Sequence, residues 1–390
     1  MTSILGTVGA YRRGSTRLCV GLLAGVALGV TALIPAGSAA AGRPVNGDVV
    51  GEPSARLTPA QLAGQRIIYS YPGLTPPESL LAHIRNGEAA GVIFFGENIA
   101  SAAQIAGVVR QLRDAARQSP VHAPLLLMTD QEGGLIRRLP GAPELSEKQI
   151  GQSAQPVSGA VRAGTGAGDN LKSVGMNLNL APVLDVVSVP GNFIDRFQRS
   201  YGSDPATVGK LGSAFIGAQQ KTGVAATAKH FPGLGATPVG QNTDLEPVTI
   251  TSSLGDLRAR DEAAYPAAIS AKVKLIMASW AIYPALDASR PAGLSPTVIT
   301  SELRGRLGYH GVTITDALEA GALQAFGDNG RRAVLAARAG MDLILCSARD
   351  VSQGEAATQG LVGGLRNGDL NATAFQASVR RVTQLRDSLS

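Results

Sequence analysis

The chain has 390 residues, of which 35 are Lys or Arg and 29 are Asp or Glu, a net charge of +6. With 4% aromatic residues and no concentrated basic run, that surplus is no nucleic-acid signature. Two cysteines exclude a disulfide-stapled scaffold, so the fold must rest on a large apolar core.

Residues 1–41 have the order of a secretory signal peptide: Arg12, Arg13 and Arg17, an apolar run from Leu18 to Pro35, then Ser38, Ala39, Ala40 and Ala41. An uncleaved anchor is the competing reading of a run this long. Cys19 opens the apolar run, whereas a lipid-modified cysteine would close it. Without that segment, 32 basic residues face 29 acidic ones, a net charge of +3, and Cys346 alone remains, in an apolar run that makes it a buried, inert thiol. An extracytoplasmic location follows, secreted or cell-wall associated, with no stable membrane insertion after cleavage. Oligomeric state is not readable from the sequence.

Residues 42–57 read as a polar linker, and a first helix is expected to start at Thr58. From there, short apolar runs alternate with amphipathic segments. The runs are Arg66–Tyr71, Gly91–Phe95, Leu125–Thr129, Leu178–Val186, Ala225–His230, Leu275–Trp280, Val312–Asp316 and Leu343–Ser347. After Ser101, a natural N-cap, Ile105, Val108, Val109 and Leu112 recur at helical spacing. Val208, Leu211 and Phe215 do so after Pro205, Gly340 is placed to end a helix through Arg338, and Phe375, Val379, Val382 and Leu385 share one face of a last helix. Apolar strands without alternation are buried on both faces, as in a parallel sheet covered by helices. Eight such units predict an α/β (β/α)8 TIM-type barrel of a single domain. A doubly wound open sheet competes, but no Gly-rich phosphate turn follows the first strand.

In a barrel the chemistry lies where strands end and the following loops begin. Those positions hold Asp130, Gln131 and Glu132, then Asp185, Lys229 with His230, Trp280 and Asp316. Four carboxylates, a lysine and a histidine, each ending an apolar run, are expected to converge. The turn Asp130–Gly134 precedes Arg137 and Arg138. Its carboxylate can accept sugar hydroxyls, and its paired glycines would let backbone bend close beneath a ligand. Asp316 can attack an anomeric carbon, provided cations such as Lys229 keep it ionised, or it can simply cap a helix.

Together the stretches DQEGG, APVLDV, RSYG, KHFPG and ITDAL resemble glycoside hydrolase family 3, in particular its short single-barrel β-N-acetylglucosaminidases, over residues 58–390. The resemblance implies an exported retaining exo-β-N-acetylhexosaminidase acting on N-acetylglucosamine-containing glycans, cell-wall fragments or chitin oligomers. Asp316 then matches the nucleophile, and Asp130, Arg138, Arg199, Lys229 and His230 match the residues that bind the sugar. No metal or organic cofactor is implied, and the partner is a carbohydrate substrate. One departure stands out. Many members carry an Asp-x-His pair on the fifth loop whose histidine is the general acid/base; here those positions are Gly240, Gln241 and Asn242. His122 and His310 precede strands, at the other end of the barrel, and His83 lies in a helix. The nearest titratable group on that loop is Asp244, the expected surrogate, ahead of Glu246 and His230. A carbohydrate-binding barrel without turnover and a β-glycosidase of other sugar specificity remain alternatives. The glycine and proline content of 234–247 suggests mobility.

Overall fold

A computed structural model describes residues 57–389. The signal-peptide segment and nearly all of the expected linker lie outside the described residues. The eight barrel strands are β1 (Ile67–Tyr69), β2 (Gly91–Ile93), β3 (Leu126–Thr129), β4 (Leu178–Asn179), β5 (Ala225–Phe231), β6 (Leu275–Ala278), β7 (Val312–Thr315) and β8 (Ile344–Leu345). They form one sheet in the order β7-β6-β5-β4-β3-β2-β1-β8, and every pair is parallel. A parallel bridge between Ile314 and Leu343 joins the two ends, supported by Thr315 N–H donating to the Leu343 carbonyl at 3.1 Å. The sheet is thus closed, and the open doubly wound alternative is excluded.

Alternate strand residues point to opposite faces. Ile68, Ile93, Leu126, Met128, Leu178, Leu275, Met277, Ile314 and Leu345 form one buried cluster, whereas Ile67, Tyr69, Val92, Leu127, Ala226 and Ile276 pack with the helices in another. A two-sided apolar environment explains why the strand sequences lack alternation. Val382 and Leu385, from the last helix Ala372–Asp387, join the first cluster. Next to them Arg386 donates to the carbonyls of Ala123 and Pro124, just before β3, which places that helix across the N-terminal ends of the strands.

The helix boundaries follow the capping chemistry. Thr58 and Gln61 form a reciprocal capping box at Pro59–Gly64, and Ser101 Oγ accepts from Gln104 N–H to start Ala102–Arg117. Gly340, at φ 104°, terminates Asn329–Ala339 in the left-handed conformation glycine tolerates. Cys346 is buried, and burial pushes its thiol pKa up, in keeping with an inert side chain. Among the described residues, no helix is long and apolar enough to cross a membrane.

Candidate active site

The C-terminal ends of β3, β5 and β7 deliver charged side chains to a single cavity of about 460 Å³. The seven residues given a catalytic or sugar-binding role from the sequence all line it, namely Asp130, Arg138, Arg199, Lys229, His230, Asp244 and Asp316, whereas Gln131, Glu132, Asp185 and Trp280 do not.

At its floor is a buried ion cluster. Lys229 Nζ, 2% exposed, lies 2.7 Å from Asp130 Oδ1 and 2.8 Å from Glu132 Oε1. Arg199 binds Glu132 with two parallel bonds, Nε to Oε2 at 2.9 Å and Nη2 to Oε1 at 2.8 Å. Burial alone would push both carboxyls up, but the cations win. Lys229 and Arg138 hold Asp130 below its ordinary value, and Arg199 and Lys229 pull Glu132 down to about 2. The site therefore presents fixed charges of both signs, prepaid in desolvation, to the hydroxyls of a polyol.

His230 is set by Asp185, which has no solvent exposure. Asp185 Oδ2 lies 2.8 Å from His230 Nδ1, and Oδ1 accepts the backbone N–H groups of His230 and Leu234 at 3.2 and 2.7 Å. With Nδ1 donating to that carboxylate, Nε2 is left as an acceptor, 3.3 Å from Arg199 Nη2. Both ring nitrogens are committed. The Lys229–His230 and Phe231–Pro232 peptide bonds are cis.

Asp316 stands at the end of β7. Its Oδ1 accepts the N–H of Ala317 at 2.8 Å, and residues 317–320 are not helical, so its role is not that of a helix cap. Trp280, fully buried and outside the cavity lining, donates Nε1–H to the Ala317 carbonyl at 2.8 Å and holds the turn that carries the carboxylate. Lys229 is not the main cation acting on Asp316. Burial raises the Asp316 pKa; His230 opposes the rise, Asp244 adds to it, and Lys229 contributes least. The reason is geometric, since the Lys229 ammonium is already shared between Asp130 and Glu132.

The loop after β5 brings Asp244 to the same cavity. It is not a loose excursion, as its composition suggested. Thr243 and Asp244 accept backbone bonds from Ala322 and Gly321 at 3.1 and 2.8 Å, which ties the fifth loop to the seventh. Leu234 and Thr237 are buried, and a Cβ on Gly235 would lie 1.8 Å from the Val186 carbonyl, so glycine here permits close packing. Asp244 N–H donates to Asn242 Oδ1 at 3.0 Å, and its carboxylate is exposed to the cavity. The paired glycines of the third loop likewise serve the protein's own packing. Cβ atoms on Gly133 and Gly134 would meet the Leu145 carbonyl at 2.3 Å and Ser146 Cβ at 2.5 Å.

Several lining residues were not singled out in the sequence. Phe95 and Ser347 occupy the mouths of β2 and β8, where the same strand-end rule applies, and Glu319 and Arg349 come from the seventh and eighth loops. Glu319 accepts from Ser347 Oγ at 2.9 Å, and the Arg349 guanidinium lies over the Phe95 ring. Phe193 and Phe197 reach the cavity from the fourth loop, where no strand-end signal marks them. Among the described residues, no cluster of His, Cys, Asp and Glu has the arrangement of a metal site.

Two carboxylates, Asp316 and Asp244, lining one cavity floored by fixed charges are suited to glycosyl transfer to water. Comparison with known proteins agrees. An uncharacterized secreted glycosyl hydrolase of Arthroderma benhamiae is 48% identical over 343 residues, 87% of this chain and 97% of that protein. The structure of a glycoside hydrolase family 3 β-N-acetylglucosaminidase from Paenibacillus sp. str. FPU-7 superposes with a TM-score of 0.81 at 34% identity, covering 86% of this chain and 63% of that one. The β-N-acetylhexosaminidase of Beutenbergia cavernae gives 0.78 at 32% identity, over 85% of this chain and 99% of that one. Residues 62–385 match the glycosyl hydrolase family 3 N-terminal domain, and the chain belongs to that family.

Proposed function

We propose that the chain is an exported, retaining exo-β-N-acetylhexosaminidase that removes N-acetylglucosamine from cell-wall fragments or chitin oligomers. Asp316 is the nucleophile and Asp244 the acid/base that replaces the missing loop histidine. The observation that carries this reading is that Asp316 and Asp244 line one cavity within each other's electrostatic field.

In the first step an Asp316 carboxylate oxygen forms a bond to the anomeric carbon. The bond to the leaving oxygen breaks, and that oxygen takes the proton of Asp244. In the second, Asp244 takes a proton from water, whose oxygen displaces Asp316 from the anomeric carbon and restores the starting configuration. Asp130, Lys229 and Arg138 hold the hydroxyls of the sugar. Among the alternatives, His230 is the poorer candidate because Asp185 and Arg199 occupy its two nitrogens. The sugar preference and the exported location are supported by the names of the relatives above. A barrel that binds sugar without turning it over is the competing reading.

The test is hydrolysis of an aryl β-N-acetylglucosaminide by the mature protein, with the anomer of the first product read by NMR. A β-anomer from the wild type and no turnover by Asp316→Ala support the proposal. An α-anomer, or equal rates for both proteins, overturns the nucleophile assignment. Sugar binding without any hydrolysis favours the binding barrel.

A further inference from the structure

Phe197 has a large exposed apolar ring at the cavity edge, which is unusual for a phenylalanine and marks a contact surface. Its side chain is 39% exposed while lining the same cavity as Asp316. Arg196 covers one side, its guanidinium 5.5 Å from the ring centroid, so exposure is through the rest of the ring. The next residue, Gln198, has φ 58°, a left-handed conformation that non-glycine residues adopt at a cost and keep where surrounding contacts enforce it. Those contacts are present. Gln198 Oε1 accepts from Ser146 Oγ at 3.0 Å, its carbonyl accepts from Lys148 N–H at 3.2 Å, and its own N–H donates to the Asp195 carbonyl at 2.9 Å. At this turn Arg199 runs inward to Glu132, while Phe197 stays at the rim.

We propose that Phe197 is the platform for the sugar on the leaving-group side of the scissile bond, its ring stacked on that sugar's apolar face. The assignment rests on the hydrolase reading above. It follows from position: the buried Lys229, His230 and Glu132 mark the blind end that holds the terminal sugar, so an exposed ring marks the open side through which the rest of the glycan leaves. Pyranose rings present C–H groups on one face, and an aromatic π-face is their complement.

The test is calorimetric binding of N-acetylglucosamine and of N,N′-diacetylchitobiose to the Asp316→Asn protein, with and without Phe197→Ala. Loss of one stacked ring is expected to weaken the disaccharide about tenfold and leave the monosaccharide unchanged. Phe197→Trp should keep the disaccharide's advantage. An equal loss for both sugars, or no loss for either, overturns the platform and leaves the hydrolase reading standing. If neither sugar binds any of these proteins, both readings fall.

Discussion

Replacing Lys229 with methionine tests the ion cluster on which the sugar site is built. Methionine keeps much of the length and apolar surface of the stem and removes the charge that serves Asp130 and Glu132. Breaking a buried pair by deleting one partner costs about 3–5 kcal/mol, since the remaining charge is left unpaired in a poorly solvated place. An independent figure comes from Glu132, whose pKa is pulled from 4.5 to about 2, a change worth roughly 3 kcal/mol and shared between Arg199 and Lys229. For a folded unit of about 330 residues the unfolding entropy is about 0.7 kcal/mol/K, so a loss of 3–5 kcal/mol lowers the melting temperature by about 4–7 °C. The pH dependence has a definite sign. In the wild type the depressed carboxyl contributes stability above the unfolded value near 4.5 and loses it as pH falls through about 2. In Lys229→Met the unpaired carboxylates can take up a proton as pH falls, so the deficit should shrink between pH 7 and pH 4. Thermal unfolding followed by circular dichroism at several pH values reads both quantities. A drop below 2 °C at pH 7, or a deficit that does not change with pH, would refute the reasoning.

Asp244→Asn should slow substrates with poor alkoxide leaving groups by about 10²–10⁴-fold, the usual contribution of a positioned proton donor, while activated aryl glycosides lose far less in the glycosylation step. Equal losses in single-turnover rates on both substrate types would remove Asp244 from the acid role. Glu147 is buried, with Oε1 accepting from Val183 N–H at 2.9 Å and Oε2 without a partner among the described residues, and burial, then Glu132, raises its pKa well above the ordinary range. A raised carboxyl favours the folded state below its unfolded value, and that contribution is lost as pH rises through the folded one. Glu147→Gln should therefore be at least as stable as the wild type at pH 8 in thermal unfolding; a loss of several degrees there would contradict a protonated Glu147.

The barrel was legible because its strands are buried on both faces, and such strands spell continuous apolar runs whatever the loops do. Site positions were legible for a related reason: a polar residue ending an apolar run, such as Asp316 or Lys229, must lie at the strand mouth, and parallel strands share that rim. The pairing among those residues was not legible. Nothing in the order of residues says that Lys229 serves Asp130 and Glu132 instead of Asp316, because that depends on separations of a few ångströms between loops distant in sequence. Phe197 was hidden for the opposite reason. It sits in a loop between two polar residues, and the left-handed turn at Gln198 that keeps it at the rim has no residue signature. The glycines at 133, 134 and 235 were visible, yet what approaches them is the protein's own backbone, which only the folded structure reveals.

The central claim is that Asp316 forms a bond to the sugar. It is tested most directly by incubating the mature protein with a 5-fluoro N-acetylglucosaminyl fluoride, which slows release of a glycosyl-enzyme, and locating the added mass by peptide sequencing in a mass spectrometer. The account predicts one sugar per chain, attached to Asp316 and absent from Asp316→Ala. A label on Asp130 or Asp244, or no covalent adduct in a protein that still turns over substrate, would contradict it.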